Sequence, residues 1–343
     1  MTARTIDVLA PGMLTTVQDA GRWGHHADAV GPCGWMDDVA PRIANALVAN
    51  REDAAVLECT LTGPTLRFSH DALVAVTGMP LAPRVDDTPV RMERPLVVRA
   101  GQRLVLGGGP RGCRAYVAVG GGIAVSTVLG SASTHLRAGF GGHLGRALRR
   151  DDVLHVGAPS PVVRAILARG DELQRALDAH VVPHAPVAWH DVALDIALAV
   201  LAAPERALLH DPDELWQVEW TISTRSDRMG VRLDGATLAH AEPTARASEG
   251  TTFGAIQLPP DGTPIVLGAD RQVTGGYPVI GHVIGADRWR FAQMRPGHRL
   301  FLVPCSLAEA HCRRRTLESI VQDAMRRIAG SLHAVAHGHV AAR

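Results

Sequence analysis

Residues 248–281 read SEGTTFGAIQLPPDGTPIVLGADRQVTGGYPVIG, and this stretch narrows the possible folds more than any other. Ile256–Leu258 and Ile265–Leu267 are β-branched and aliphatic runs that read as two strands. Pro259-Pro260-Asp261-Gly262 separates them. Proline presets φ, and Asp-Gly tolerates the positive φ that closes a hairpin. The same grammar recurs upstream in Val56–Leu61, Leu66–Phe68, Leu73–Val76, Leu96–Val98, Leu104–Leu106 and Ala115–Val119. Short runs punctuated by Gly, Pro and Asp predict a mainly β chain, built as a sandwich or barrel. Thr5–Leu9, Ile196–Leu201, Trp216–Ser223 and Leu300–Val303 read as further strands.

Helical pattern is confined to three places. Asp37 and Asp38 are good N-caps for a helix through Ala49, in which Val39, Ile43 and Leu47 recur at helical spacing. Val163–Ala179 looks like one amphipathic helix, followed by a linker, HVVPHAPVAWHDVA. Near the end, Leu317, Ile320, Val321, Ala324, Met325, Ile328 and Leu332 trace one helix face, predicted to pack on its own barrel or on a partner protein. An internal echo points to a tandem architecture. Arg99-Ala100-Gly101-Gln102-Arg103-Leu104-Val105-Leu106 parallels Arg295-Pro296-Gly297-His298-Arg299-Leu300-Phe301-Leu302, each a turn feeding a strand.

Chemistry-bearing residues gather after the second strand of the hairpin. Asp270, Arg271 and Gln272 precede Thr274, Gly275, Gly276 and Tyr277, at a corner where two glycines bring backbone N–H groups close to any ligand. Gln257 lies on the first strand. Two readings stand for this cluster: a polar barrel rim with a structural Asp–Arg pair, or a binding site. Gln18, Asp19 and Arg22 on a turn-prone segment divide the same way between solvated loop and site, and Asp227 and Arg228 form a further acid–base pair after a strand. Glycine-dense loops at 120–122 and 139–142 flank Ser131–Thr134, where tight corners are the leading explanation over an anion wrap. Residues 107–112 formally satisfy G-x-G-x-x-G, but Pro110 interrupts them and a strand follows instead of a helix, which excludes a dinucleotide site.

Composition removes other classes. All 35 basic residues are arginine. The chain therefore cannot carry biotin on a lysine, form a lysine Schiff base or supply a P-loop lysine. A formal charge of +1 suggests neither nucleic acid nor an anionic membrane as partner. The amino-terminal stretch lacks the apolar core of a signal peptide, and the longest apolar run, Ile196–Ala203, falls far short of the ~20 residues that span a bilayer. A cytoplasmic protein is expected. Five cysteines without a C-x-x-C pair argue against disulfides or structural zinc. His333 and His337 stand at i, i+4 spacing, but a fraying tail is the better reading, and no metal is expected.

The rim stretch, together with PGMLTTVQDAGRWGHHADAVGPCGWMDDVAPRIANALVAN, AAVLECTLTGPTLRF, VAVGGGIAVSTVLGSASTHLRAGFGGHLGRALRRDDVL and STRSDRMGVRLDG, resembles the biotin-dependent carboxyltransferase family. That family includes the C subunit of 5-oxoprolinase, allophanate hydrolase subunit 2, part of urea carboxylase and KipA-like regulators. The resemblance covers most of residues 5–158 and 193–304. Where relatives commonly read Ser-Gly-Ala-Met-Asp, this chain has Cys33-Gly34-Trp35-Met36-Asp37.

The resemblance implies two tandem cyclophilin-like β-barrel domains, at 1–160 and 193–305, with a helical insertion and linker at 161–192 and a helical tail at 306–343. It implies the C subunit of an ATP-dependent 5-oxoprolinase complex that opens 5-oxoproline to glutamate and works only with A-like and B-like partner subunits. ATP would be used by the complex, and no cofactor would be bound covalently here. The alternatives are carboxyl transfer from carboxybiotin, on a separate carrier, to urea or another amide, and a non-catalytic KipA-like regulatory binding protein. Both chemistries polarise an amide carbonyl and handle an anion, which calls for fixed N–H, Arg or Tyr donors. Arg22, Arg228 and Arg271 are the candidate anion holders. Asp19, Asp37, Asp227 and Asp270 are candidates to orient them or act as bases, and Tyr277 is a candidate oxyanion donor. Gln18, Gln257, Gln272, Thr274, Gly275 and Gly276 complete the expected substrate contacts.

Overall fold

The computed structural model describes residues 3–169, 172–181, 195–241 and 247–338. The chain forms two compact units: Met1–Gly21 with Asp38–Asp191 and Ser319–Arg343, and Arg22–Asp37 with Val192–Glu318. The division is not a single cut. The segment 22–37 belongs with the later part of the chain.

The first unit contains β1 (Thr5–Ala10), β2 (Leu14–Gln18), β3 (Val56–Thr60), β4 (Thr65–Phe68), β5 (Ala72–Gly78) and β6 (Arg84–Val85). It continues with β7 (Thr88–Pro89), β8 (Leu96–Val98), β9 (Arg103–Val105), β10 (Arg114–Val119), β11 (Ile123–Ala124) and β12 (Val153–Val156). These strands divide into a seven-stranded sheet, ordered β11-β12-β1-β4-β9-β6-β7, and a five-stranded sheet, ordered β2-β3-β10-β5-β8. One apolar core joins them: Ile6, Leu66, Phe68 and Leu104 from the first sheet cluster with Val17, Leu57, Val74 and Val117 from the second. Alternation along each strand supplies this inward set.

Helix α1 (Ala40–Leu47) covers β5 and β10, and the Thr77 hydroxyl donates to Ala40 O at 2.7 Å. Neither Asp37 nor Asp38, the residues expected to cap it, occupies the cap position. The N-cap position is Val39, without a side-chain cap bond, and Pro41 in the first turn sets the start. The single helix expected over Val163–Ala179 is instead two, α2 (Pro161–Leu167) and α3 (Glu172–His180). Ser160 Oγ caps α2 by accepting from Val163 N at 3.3 Å. The linker expected after them lies mostly outside the described residues.

The second unit contains β13 (Asp195–Ala202), α4 (Glu214–Gln217), β14 (Trp220–Ile222), β15 (Gly230–Asp234), β16 (Glu249–Gly250) and β17 (Ala255–Gln257). It continues with β18 (Ile265–Leu267), β19 (Thr274–Gly275), β20 (Val279–Val283), α5 (Arg288–Ala292) and β21 (Arg299–Pro304). Seven of the strands close a barrel in the order β13-β20-β17-β18-β15-β14-β21, sealed by parallel pairing of β21 with β13. Leu198, Val200, Trp220, Ile222, Leu233, Ile256, Val266, Ile280, Leu300 and Leu302 are all buried and alternate along their strands, so they form the barrel interior. The hairpin anticipated at 256–267 is β17 paired with β18, and Gly262 N donates to Pro259 O at 3.0 Å across its turn.

The strand expected from Trp216 starts later, at Trp220. Asp211 Oδ1 accepts from Asp213 N at 2.9 Å, and this Asp-Pro-Asp turn launches the short helix α4 through residue 217. The octapeptide echo takes one conformation twice. Gln102 N donates to Arg99 O at 3.0 Å and His298 N to Arg295 O at 3.1 Å. Gly101 and Gly297 sit at φ +85° and +87°, and strands β9 and β21 follow.

Helix α6 (Leu307–Ala336) carries the final stripe. Val321, Ala324, Ile328, Leu332 and Val335 are buried, whereas Ile320, placed on that face by the sequence, is 45% exposed. Ala310, near the helix start, packs with Ala199, Ile284 and Ala286 of the barrel unit. Among the described residues no helix is long and apolar enough to cross a membrane.

The repeated turn makes a direct test of backbone strain. A Cβ on Gly297 meets no atom within 4 Å, so Gly297→Ala is expected to cost only the left-handed backbone penalty, ~1–2 kcal/mol. Urea unfolding measures it, and an unchanged midpoint would contradict the turn geometry.

Candidate functional site

Strand register builds a cavity on the barrel wall. Arg232 pairs with Ile265, and Ile265 with Gln257, in adjacent strands β15, β18 and β17. These three point away from the interior set of Val231, Val266 and Ile256, so they form one row on the opposite face. Gly230 and Leu267 form the next such pair. The two-stranded arm of β16 with β19 contributes Thr274 beside this row, and the turn before β15 contributes Arg225, Asp227 and Met229. With Thr251, Gln272 and Tyr277 they enclose about 280 Å³.

The polar groups of this cavity are unevenly satisfied. Gln257 is 7% exposed, and its Nε2 is buried without a hydrogen-bond acceptor among the described residues. Gly275 lies against it so closely that a Cβ there would be 2.3 Å from Nε2. Arg225 approaches the exposed Asp234, at 3.6 Å. Asp227 Oδ1 is taken up by Met229 N at 2.7 Å and Gly230 N at 3.1 Å, which sets the turn. The Tyr277 side chain is 47% exposed. Two guanidinium groups, two amides, a phenol and an aliphatic floor of Ile265 and Leu267 thus share one recess.

Beside it lies a buried ionic cluster. Arg228 makes a bidentate pair with Asp270, Nε to Oδ2 and Nη2 to Oδ1, both 2.9 Å, with each side chain 4% exposed. The same Nη2 donates to Gly34 O at 2.6 Å, and Asp270 N donates back to Arg228 O at 2.9 Å. The loop 33–37 is fastened further by Arg288, whose Nε donates to Met36 O at 3.0 Å and whose Nη2 donates to Trp35 O. Gln293 Nε2 donates to Asp37 Oδ2 at 3.1 Å. Cys33 sits in this loop at φ +53°, a left-handed conformation that the surrounding ties maintain. Burial first, then the neighbouring Asp270 carboxylate, push its thiol up to about 12, against the opposing pull of Arg228 and Arg22. Arg271 is 5% exposed, and burial, reinforced by the positive charge of Arg288, lowers its guanidinium to about 10.

The expected site residues therefore sort into three places. Asp227, Gln257, Gln272, Thr274 and Tyr277 line the cavity, with Gly275 behind Gln257. Asp270, Arg271 and Arg228 do not line it; they belong to the buried cluster, as does Arg22, which is 1% exposed and acts on Cys33. Asp37 is tied to Gln293 at the end of the same loop. Gln18 and Asp19 belong to the first unit. Gln18 Nε2 donates to Thr16 Oγ1 at 3.1 Å, and the Asp19 carboxylate accepts from Gly21 N, Ser131 Oγ, Ala132 N and Ser133 Oγ at 2.5–2.8 Å. That carboxylate clasps the 131–133 loop. Arg232, Thr251, Cys33 and Arg288 were not singled out as site residues in the sequence. For Arg232 the only signal was its outward place on a strand. Cys33 was marked only by its departure from the family's usual serine, and Thr251 and Arg288 by nothing.

Residues 29–304 match the family described as carboxyltransferase domain, subdomain A and B. The chain is 37% identical over 310 residues to the C subunit of 5-oxoprolinase from Escherichia coli (strain K12), covering 89% of this chain and 93% of that one. It is 34% identical to a putative urea carboxylase of Emericella nidulans, covering 93% of this chain but only 26% of the relative. The crystal structure of the K. lactis urea amidolyase superposes with a TM-score of 0.81 at 28% identity, over 94% of this chain and 20% of that chain. The chain thus spans only 20–26% of the length of these larger enzymes.

The buried cluster is open to a chemical probe. With its thiol protonated and 3% exposed, Cys33 is expected to resist iodoacetamide in the native state at pH 8, while the exposed Cys312 reacts. Peptide mass mapping reads the pattern, and rapid labelling of Cys33 would contradict the packing. Replacing one partner of the buried pair, as in Asp270→Asn, is expected to lower stability by ~3–5 kcal/mol in denaturant titration.

Proposed function

The chain belongs to the carboxyltransferase domain family, subdomains A and B, and from that membership we propose that it is the C subunit of an ATP-dependent 5-oxoprolinase complex. The observation that carries the reading is the 37% identity to a named C subunit of 5-oxoprolinase, over nearly the whole of both chains. The cavity supports it chemically. A lactam with an attached carboxylate presents a carbonyl oxygen, an anion and a short apolar ring. The Gln257 amide N–H and the Tyr277 hydroxyl are donors suited to the carbonyl oxygen as negative charge develops there. Arg225 and Arg232 suit the carboxylate, and Ile265 with Leu267 suits the ring methylenes.

The division of labour follows from what the chain lacks. Without a lysine it has no P-loop and no biotin attachment point, so ATP is handled by A-like and B-like partner subunits. This chain then positions the amide and stabilises its oxyanion. The second reading is carboxyl transfer from carboxybiotin on a separate carrier to urea or another amide. It is favoured by the urea carboxylase and urea amidolyase relatives, and it makes the same demand on an amide carbonyl. A non-catalytic, KipA-like role would leave a recess of this composition without a task.

Reconstitution tests the proposal. Mixed with A-type and B-type subunits, the chain is expected to support ATP-dependent release of glutamate from 5-oxoproline. Urea-dependent consumption of carboxybiotin instead would install the second reading, and neither activity would sink both. Gln257→Leu is expected to reduce turnover of the complex by ~10²-fold, the usual loss for one oxyanion donor. Because Gln257 Nε2 finds no hydrogen-bond acceptor among the described residues, the same variant should keep its melting temperature. A fall in stability with full activity per folded molecule would assign Gln257 to the fold.

A further inference from the structure

We propose that Arg271 and Arg288 form a receptor for a doubly charged oxyanion of the phosphate class, seated beside the Cys33–Met36 loop and separate from the Gln257 cavity. Arg271 is 5% exposed, yet its hydrogen bonds are Nε to Thr251 O at 3.4 Å and Nη1 to Gly268 O at 3.5 Å, both at the long limit. Its sequence neighbour Asp270 faces Arg228 instead. Arg288 is half-buried, lies 4.2 Å over the Phe253 ring, and spends its hydrogen bonds on the carbonyls of Trp35 and Met36. Among the described residues, no carboxylate lies within ion-pair distance of either guanidinium.

Such an arrangement is costly as it stands. Buried charges are ordinarily paired, and here both groups bear on one short segment, Arg271 donating to Thr251 O while Arg288 lies over the ring of Phe253, two residues on, so that like charge meets like. Each guanidinium has five N–H donors, and most of them are left unused by the bonds above. An oxyanion that bridges the two removes the repulsion and takes up those donors in the planar, bidentate manner that arginine favours. Charge selects among oxyanions. A dianion such as phosphate neutralises both groups, whereas a carboxylate leaves one positive charge uncompensated.

Anion binding here is independent of the amide reading, because it is tested on the chain alone, without ATP, amide or partner subunits. Inorganic phosphate is titrated calorimetrically into the protein in low-salt buffer, and melting temperatures are measured in phosphate, acetate and chloride at matched ionic strength. The expected result is saturable binding of one phosphate, a melting temperature raised by phosphate but not by acetate, at least tenfold weaker binding in Arg288→Gln, and none in Arg271→Gln. In phosphate-free buffer Arg271→Gln should melt no lower than the parent, since the charge it removes has no counter-ion. Absence of saturable binding, equal stabilisation by acetate, or unchanged binding in Arg288→Gln would each overturn the proposal. Loss of phosphate binding in Arg225→Gln would place the ion in the Gln257 cavity and overturn it equally.

Discussion

The barrel unit depends on the bidentate pair between Arg228 and Asp270. Arg228 stands just before β15 and Asp270 just after β18, two adjacent antiparallel strands, so the pair locks the end of the ladder where the site residues emerge. The third bond of the guanidinium, to Gly34 O, brings in the 22–37 segment. A pair this dry contributes little net stability compared with an apolar substitute, but removing one partner strands a charge. Its value is geometric. It fixes the direction in which Arg271 and Gln272 leave the strand, and hence the separation of a buried cluster from an open cavity.

Around that pair the molecule keeps two kinds of polar group apart. Asp19, Asp270 and Asp227 spend their oxygens on defined donors: a loop clasp, an arginine and a turn. Gln257 is left with a buried donor unused, and Arg271 and Arg288 with charge unneutralised. Unsatisfied groups of this sort inside a well-bonded framework are where ligand binding recovers the most free energy. Both fall in the same unit, which also holds the family's most recognisable sequence.

Much of this was legible from local pattern. The 256–267 hairpin, the six strands between Val56 and Val119 and the repeated turn of Gly101 and Gly297 follow from short-range chemistry, so they could be read directly. Readings that depended on competition between local signals were less secure. Asp37 and Asp38 have cap chemistry, but Pro41 set the helix start and Asp37 found Gln293. Trp216 has strand character, but the Asp-Pro-Asp turn before it was stronger. Ile320 matched the apolar stripe by spacing, while burial along α6 followed a line drifting one residue away.

By itself, the sequence determined the β grammar, the tandem turn, the family, and the absence of any lysine on which biotin or a P-loop could depend. Those are properties of residue identity and short spacing. Only the tertiary structure decided that Tyr277 and Gln257 share a recess from which Asp270 and Arg271 are excluded. Only it showed that Arg232, ordinary in the sequence, stands in register with Gln257, and that Arg288 reaches back to residues 35 and 36. The physical reason is that register and loop closure set which side chains meet, and a one-residue slip in strand pairing would turn Gln257 and Arg232 to the opposite face.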